Sequence, residues 1–222
     1  MSNINSIVFD CDGVLLNSNK IKTQAFYKCA LPYGEKYATM LADYHIENGG
    51  ISRNYKFKYF LNEIIPDGAS GPRFEELMDT FSTEVKKRLL MCEVAPCLAS
   101  LRERTKGMRW LIVSGGNQDE LNEVFQMRGL HYMFDGGIYG SPYSKDKILD
   151  TLINNHQIEL PSLFLGDSQY DYEVAAKANL DFVFVSDWSE FSDWPSFCIM
   201  HGIASIPSIC EFMPNQPFKT YD

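Results

Sequence analysis

The chain has 222 residues, 45% of them hydrophobic, and a formal net charge of -9. That length suits one domain with a large insertion or two small domains, and it buries enough apolar surface to fold without a disulfide or a metal. The acidic balance excludes nucleic acid as a general partner, because phosphate-backbone binding needs a basic face. No segment approaches the roughly 18 apolar residues of a membrane span.

The opening MSNINSIVFD has no basic stretch and only a short apolar run, so no secretory signal is expected. Six cysteines (Cys11, Cys29, Cys92, Cys97, Cys198 and Cys210) show no CxxC spacing. Reduced thiols in a cytoplasmic protein are therefore expected, not a zinc site or a disulfide framework.

In chain order, residues 6–9 (SIVF) form an apolar run that stops on Asp10. Residues 16–93 contain only helical patterns, over 21–31, 35–46, 55–64 and 74–91, with the turn cluster PDGASGP between the last two. Apolar runs return at 110–114 (WLIVS), 163–167 (LFLGD) and 182–186 (FVFVS). Helical patterns at 119–128, 145–156 and 170–179 alternate with them. The tail from Asn215 is polar and is expected to fray. Apolar runs without alternation suit strands buried on both faces. Strand–helix alternation predicts a doubly wound, mostly parallel α/β sheet of Rossmann-like type. The helical block after the first strand reads as an inserted cap. The chain then divides into a core of residues 1–16 and 94–222 and a cap of residues 17–93.

Ligands of open α/β sheets collect at the C-terminal ends of the strands. Asp10, Ser114, Asp167 and, more peripherally, Ser186 close the four runs and should gather there. Asp10 and Asp12 form a DxD, which taken alone is equally well a strand-end turn. A second acidic pair, Asp167 and Asp171 in GDSQYD, spans a strand end and the first turn of a helix. Carboxylates converging from separate loops repel unless a cation lies among them. Hard oxygen donors of this kind suit Mg²⁺, which takes one or two carboxylates plus water and substrate phosphate.

DCDGV after the first strand, the strand-terminal Ser114, a lysine opening a later helix and GDSQYD occur in order over residues 7–178. Together they resemble the haloacid dehalogenase superfamily, in particular its helical-cap branch around β-phosphoglucomutase and phosphoglycolate phosphatase. The resemblance implies Asp10 as nucleophile and Mg²⁺ ligand, and Asp12 as general acid/base with its backbone carbonyl on the metal. It implies Asp167 as a further ligand. Asp171 would bind the metal through water or hold the lysine. Ser114, with the backbone N–H groups of Gly115 and Gly116, would bind the phosphoryl oxygens. Lys145 is favoured as the phosphate-neutralising lysine because it lies nearest the helix N-terminus; Lys147 is the alternative.

In the cap, GISR (50–53) resembles a segment whose arginine contacts the distal anion of the substrate, which marks Arg53. Lys22 replaces a substrate-facing histidine of that branch, a departure from β-phosphoglucomutase. Asn17 and Ser18, at the entry to the cap, either contact substrate or cap the first cap helix. Asn179 stands where a glycine often ends the motif helix and tolerates the same left-handed backbone. The expected activity is a Mg²⁺-dependent phosphatase for a small phosphorylated metabolite: a phosphosugar, a phosphoglycolate-like acid or a nucleotide. A phosphomutase is the runner-up. A silent binding module is disfavoured because Asp10, Asp12, Asp167 and Asp171 are all present. A receiver-like domain is disfavoured because a helical cap would have no role in it.

Overall fold

The computed structural model describes residues 4–213, so the polar tail from Asn215 lies outside the described residues. The strands are β1 (Ser6–Phe9), β2 (Arg109–Asn117), β3 (Gly137–Ser141), β4 (Ser162–Gly166), β5 (Asp181–Val185) and β6 (Ala204–Ile206). They form one sheet in the order β3-β2-β1-β4-β5-β6, with every neighbouring pair parallel. From β1 the chain winds outward through β2 and β3, then returns to the other side of β1 to lay down β4.

Because side chains alternate across a strand, each apolar run feeds two layers at once. Ile7, Phe9, Trp110, Ile112, Leu163 and Leu165 join Leu98 and Leu101 of α5 (Leu98–Arg104) and Leu121, Val124 and Phe125 of α6 (Gln118–Met127). Val8, Leu111, Val113 and Phe164 face the other way. They meet Ile148, Leu149 and Leu152 of α7 (Lys145–Asn154) and Val174 and Ala175 of α8 (Gln169–Lys177). On the same face, toward the β5–β6 edge, α9 (Trp194–His201) places Phe197 and Cys198 against Phe184. The four strands expected from apolar runs are the four central ones. β3 and β6 escaped because edge strands need less apolar surface: GIYGS carries two glycines, and β6 is three residues long.

Between β1 and α5 lie α1 (Asn19–Ala30), α2 (Glu35–Glu47), α3 (Arg53–Tyr59) and α4 (Phe74–Leu89), with a π turn at Phe60–Ile64. No β-strand occurs in this block, which forms the helical cap. Phe26, Phe57 and Phe81 build its centre, with ring centroids 4.5 to 5.7 Å apart. The chain enters and leaves the cap through adjacent segments. Asn17 N donates to Glu93 O at 2.9 Å, and Ala95 N to Leu15 O at 3.0 Å.

The cysteine expectation needs correction. Cys97 and Cys210, 113 residues apart, are joined in a disulfide, while Cys11, Cys29, Cys92 and Cys198 are free. Local spacing cannot reveal such a pair, because only the fold brings the start of α5 beside the turn Ile209–Glu211. The bridge removes the argument for a cytoplasmic setting that rested on reduced thiols. Among the described residues, no helix is long and apolar enough to cross a membrane.

Candidate active site

The winding reverses between β1 and β4, and a crevice for ligands opens at such a switch point. Asp10 follows β1 and Asp167 follows β4, so the two stand side by side. Asp171 comes up from the first turn of α8. One carboxylate oxygen of each of Asp10, Asp167 and Asp171 lies within 4.8 Å of the others, and all three residues are buried. Lys145, the first residue of α7, reaches into this cluster. Its Nζ is 2.9 Å from Asp10 Oδ1 and 2.6 Å from Asp171 Oδ1. Lys147 is exposed instead, with its Nζ 4.8 Å from the Tyr143 ring centroid.

Each carboxylate is also held by the surrounding chain. Cys11 N donates to Asp10 Oδ1 at 2.7 Å, and Ser168 Oγ to Asp171 Oδ2 at 2.6 Å. Asn19 Nδ2 donates to Asp167 Oδ2 at 2.6 Å and to Trp188 O at 2.9 Å. Gly13 is required where it stands. Its φ is +75°, and a Cβ there would lie 2.1 Å from Asp167 Oδ2.

Burial pushes the Asp10 carboxyl up to about 7, with Lys145 pulling it down and Asp171 and Asp12 pushing it further up. Asp167 is raised well above the usual carboxylate range by burial and by its neighbours Asp10 and Asp171. Asp12 behaves oppositely. Burial would raise it, but Lys22 and the hydrogen bonds from Lys22 and Ser18 hold it below the usual range. Its Oδ1 accepts from Ser18 Oγ at 2.6 Å, and its Oδ2 pairs with Lys22 Nζ. The Asp12 carboxylate therefore faces the cap and not the three-carboxylate cluster.

Ser114 is fully buried on β2, and its Oγ accepts the Gly116 N–H at 3.0 Å. Gly115 and Gly116 line a cavity of about 190 Å³ between cap and core. The cap is closed on them: a Cβ on Gly115 would lie 2.3 Å from Gly50 O. Asp10, Asp12 and Asp167 line the same cavity from the core, and Lys22 and Arg53 from the cap. Asn17 does not line it. Its side chain donates to Glu93 Oε2 at 3.2 Å, and the residue before α1 is Ser18, so Asn17 neither faces the cavity nor caps the helix. Ser186 lies apart as well, its backbone N–H bonded to Ile206 O at 3.0 Å. Asn179 has φ 56°, the left-handed conformation expected of it.

A haloacid dehalogenase-like hydrolase family model matches residues 7–185. The chain belongs to that family. No protein of curated function matches it by sequence. Among solved structures, a haloacid dehalogenase-like hydrolase from Bacteroides fragilis superposes with TM-score 0.70 at 20% identity, over 95% of this chain and 100% of that one. CbbY from Rhodobacter sphaeroides, solved with phosphate, gives 0.70 at 16%, over 94% and 96%. YfnB from Bacillus subtilis, solved with magnesium, gives 0.58 at 16%, over 83% and 89%. At these identities the likeness is one of fold.

For a haloacid dehalogenase-like hydrolase, the donor set fits a divalent cation. Asp10, Asp167 and Asp171 offer hard carboxylate oxygens from three different segments, close enough to share one ion. Burial first, and then their mutual repulsion, raise the proton affinities of Asp10 and Asp167, and such an ion would relieve the repulsion.

Sequence reasoning missed three residues of this hydrolase site. Asn19, which orients Asp167, is a polar residue at a helix start, and nothing local marks it. His45 and Lys56 also line the cavity, with Lys56 Nζ 2.6 Å from His45 Nδ1. Lys56 lies three residues after Arg53 on the same helix face, a spacing that could have flagged it. His45 carries no local signal.

Proposed function

We propose that the chain is a Mg²⁺-dependent phosphatase that hydrolyses a small phosphorylated metabolite through an aspartyl-phosphate on Asp10. The observation that carries the reading is the buried group of Asp10, Asp167, Asp171 and Lys145 at the sheet's switch point, under a cavity closed by the cap. Asp10, Asp167 and Asp171, with the backbone carbonyl of Asp12, would hold Mg²⁺. The ion would neutralise the phosphate so that an anionic nucleophile can approach it.

In the first step an Asp10 oxygen bonds to phosphorus while the ester oxygen leaves as an alcohol, protonated by Asp12. In the second, Asp12 takes a proton from water, whose oxygen attacks phosphorus and frees Asp10 with inorganic phosphate. General acid/base help of this kind is worth about 10²- to 10⁴-fold. The lowered proton affinity of Asp12 suits the second step directly. Lys145 would bind a phosphoryl oxygen from below. The Ser114 hydroxyl, oriented by the Gly116 N–H that it accepts, and the Gly115 N–H would hold the others, with the cap over 17–93 excluding water.

A cavity of about 190 Å³ is smaller than the roughly 300 Å³ at which pockets for drug-sized ligands begin. That size favours a phosphosugar or a phosphoglycolate-like acid over a nucleotide. The test is hydrolysis of p-nitrophenyl phosphate with Mg²⁺. Asp10→Asn is expected to abolish turnover and leave the circular dichroism spectrum unchanged, and EDTA is expected to stop the wild type. Turnover by Asp10→Asn, or turnover in EDTA, would refute the mechanism. Free phosphate released in proportion to substrate consumed separates a phosphatase from a phosphomutase.

A further inference from the structure

Three of the buried cations around the cavity already have carboxylate partners. Lys22 pairs with Asp12, and Lys145 with Asp10 and Asp171. Arg53, expected from the family resemblance to meet the distal anion, is engaged elsewhere. Its two terminal nitrogens donate to the two oxygens of Glu120, each at 2.8 Å.

Lys56 differs. It is 1% exposed and lines the cavity, yet it has no carboxylate within ion-pair distance among the described residues. Its Nζ contacts His45 Nδ1 at 2.6 Å and His45 O at 3.4 Å, and lies 5.6 Å from the centroid of the Phe26 ring. His45 is itself buried and lines the same cavity.

We propose that Lys56 and His45 form an anion subsite that holds a carboxylate or second phosphate on the leaving group of the substrate. The proposal deepens the phosphatase reading and rests on it for the identity of the other end of the ligand. A buried amine without a counter-ion is costly, and an arriving anion removes that cost. Burial and the charge of Lys22 hold Lys56 well below its usual range, while the carboxylates of Asp12 and Asp10 pull the other way. Burial and Lys56 likewise keep His45 neutral. Lys56, His45 and Asp10 line the same cavity, so one small molecule can reach both places. The leaving-group anion is thereby assigned to α2 and α3 through Lys56, with Arg53 left to clamp the cap to Glu120.

The test compares Lys56→Met with wild type on 2-phosphoglycolate and 3-phosphoglycerate, against p-nitrophenyl phosphate, whose tail carries no charge of this kind. Loss of a hydrogen bond to a charged group predicts a fall in kcat/KM of about 10- to 100-fold on the two acids. The fall on the two acids should exceed the fall on p-nitrophenyl phosphate by about tenfold or more. An equal fall on all three, or none on the acids, overturns the subsite.

Binding provides a reading independent of turnover. Both acids should raise the melting temperature of wild type more than inorganic phosphate does, and this excess should vanish in Lys56→Met. No excess in wild type, or an excess that survives in the variant, also overturns the proposal. If Lys56-dependent binding of the acids is found without any Asp10-dependent hydrolysis, the subsite stands and the phosphatase reading falls.

Discussion

Replacing Lys145 by Met leaves a side chain of similar length with no charge, and it strands the two carboxylates that Lys145 pairs with. In the wild type the ammonium lies 2.9 Å from Asp10 and 2.6 Å from Asp171, in a group where all members are buried. Removing one partner of a buried ion pair costs about 3–5 kcal/mol, because the charge left behind keeps its desolvation penalty. For a chain of this size that lowers Tm by about 6–20 °C at neutral pH.

The deficit must also depend on pH. The folded-state value of Asp10 is raised from 3.8 to about 7, so its contribution is fully present below 3.8 and is lost as pH rises through about 7. Without Lys145, which pulls Asp10 down, that loss grows. The gap between variant and wild type should therefore widen from pH 5 to pH 8. Millimolar Mg²⁺ should narrow it, by supplying positive charge to the folded state alone. The assay is thermal unfolding followed by circular dichroism at pH 5, 6.5 and 8, with and without Mg²⁺. A deficit below about 1 kcal/mol, or one of equal size at pH 5 and pH 8, would refute this account of the cluster.

Three further outcomes follow from other parts of the molecule. A double-mutant cycle of Arg53→Met and Glu120→Gln should give a coupling of about 1–3 kcal/mol, measured by urea unfolding, since both side chains are largely buried and paired on two nitrogens; additive single effects would contradict it. Lys56→Met should raise the Tm, because it removes a buried amine whose desolvation no carboxylate offsets; a lowered Tm would mean that His45 compensates the amine well. Reduction with dithiothreitol, or Cys97→Ser, should destabilise by about 2–4 kcal/mol, since the Cys97–Cys210 bridge restrains a long loop in the unfolded chain; unchanged unfolding under reducing conditions would contradict it.

Much of the site was legible because its residues sit at the ends of apolar runs. Asp10 and Asp167 each follow a buried strand and Ser114 ends the apolar run within β2, and parallel strands bring such positions to one edge by topology alone. Lys145 and Asp171 were readable from their places in the first turns of helices. The cap was harder. Arg53 resembled a ligand-binding arginine, yet Glu120, 67 residues further on, claims both of its terminal nitrogens. Asn17 resembled a site residue by proximity to the DxD, and the chain carries it out toward Glu93. Helix faces in the cap are chosen by packing on the core, and no local pattern reports what stands across the interface.

The sequence by itself determined the α/β class, the inserted helical block and the carboxylates of the core, because these depend on strand runs and on residues adjacent to them. Tertiary structure decided everything that depends on long-range partners. It joined Cys97 to Cys210 and set the strand order around β1. It turned the Asp12 carboxylate toward Lys22 and left Lys56 beside His45 without a counter-ion. Charge and burial act through space, so a residue's chemistry is fixed only when its neighbours from distant segments are in place.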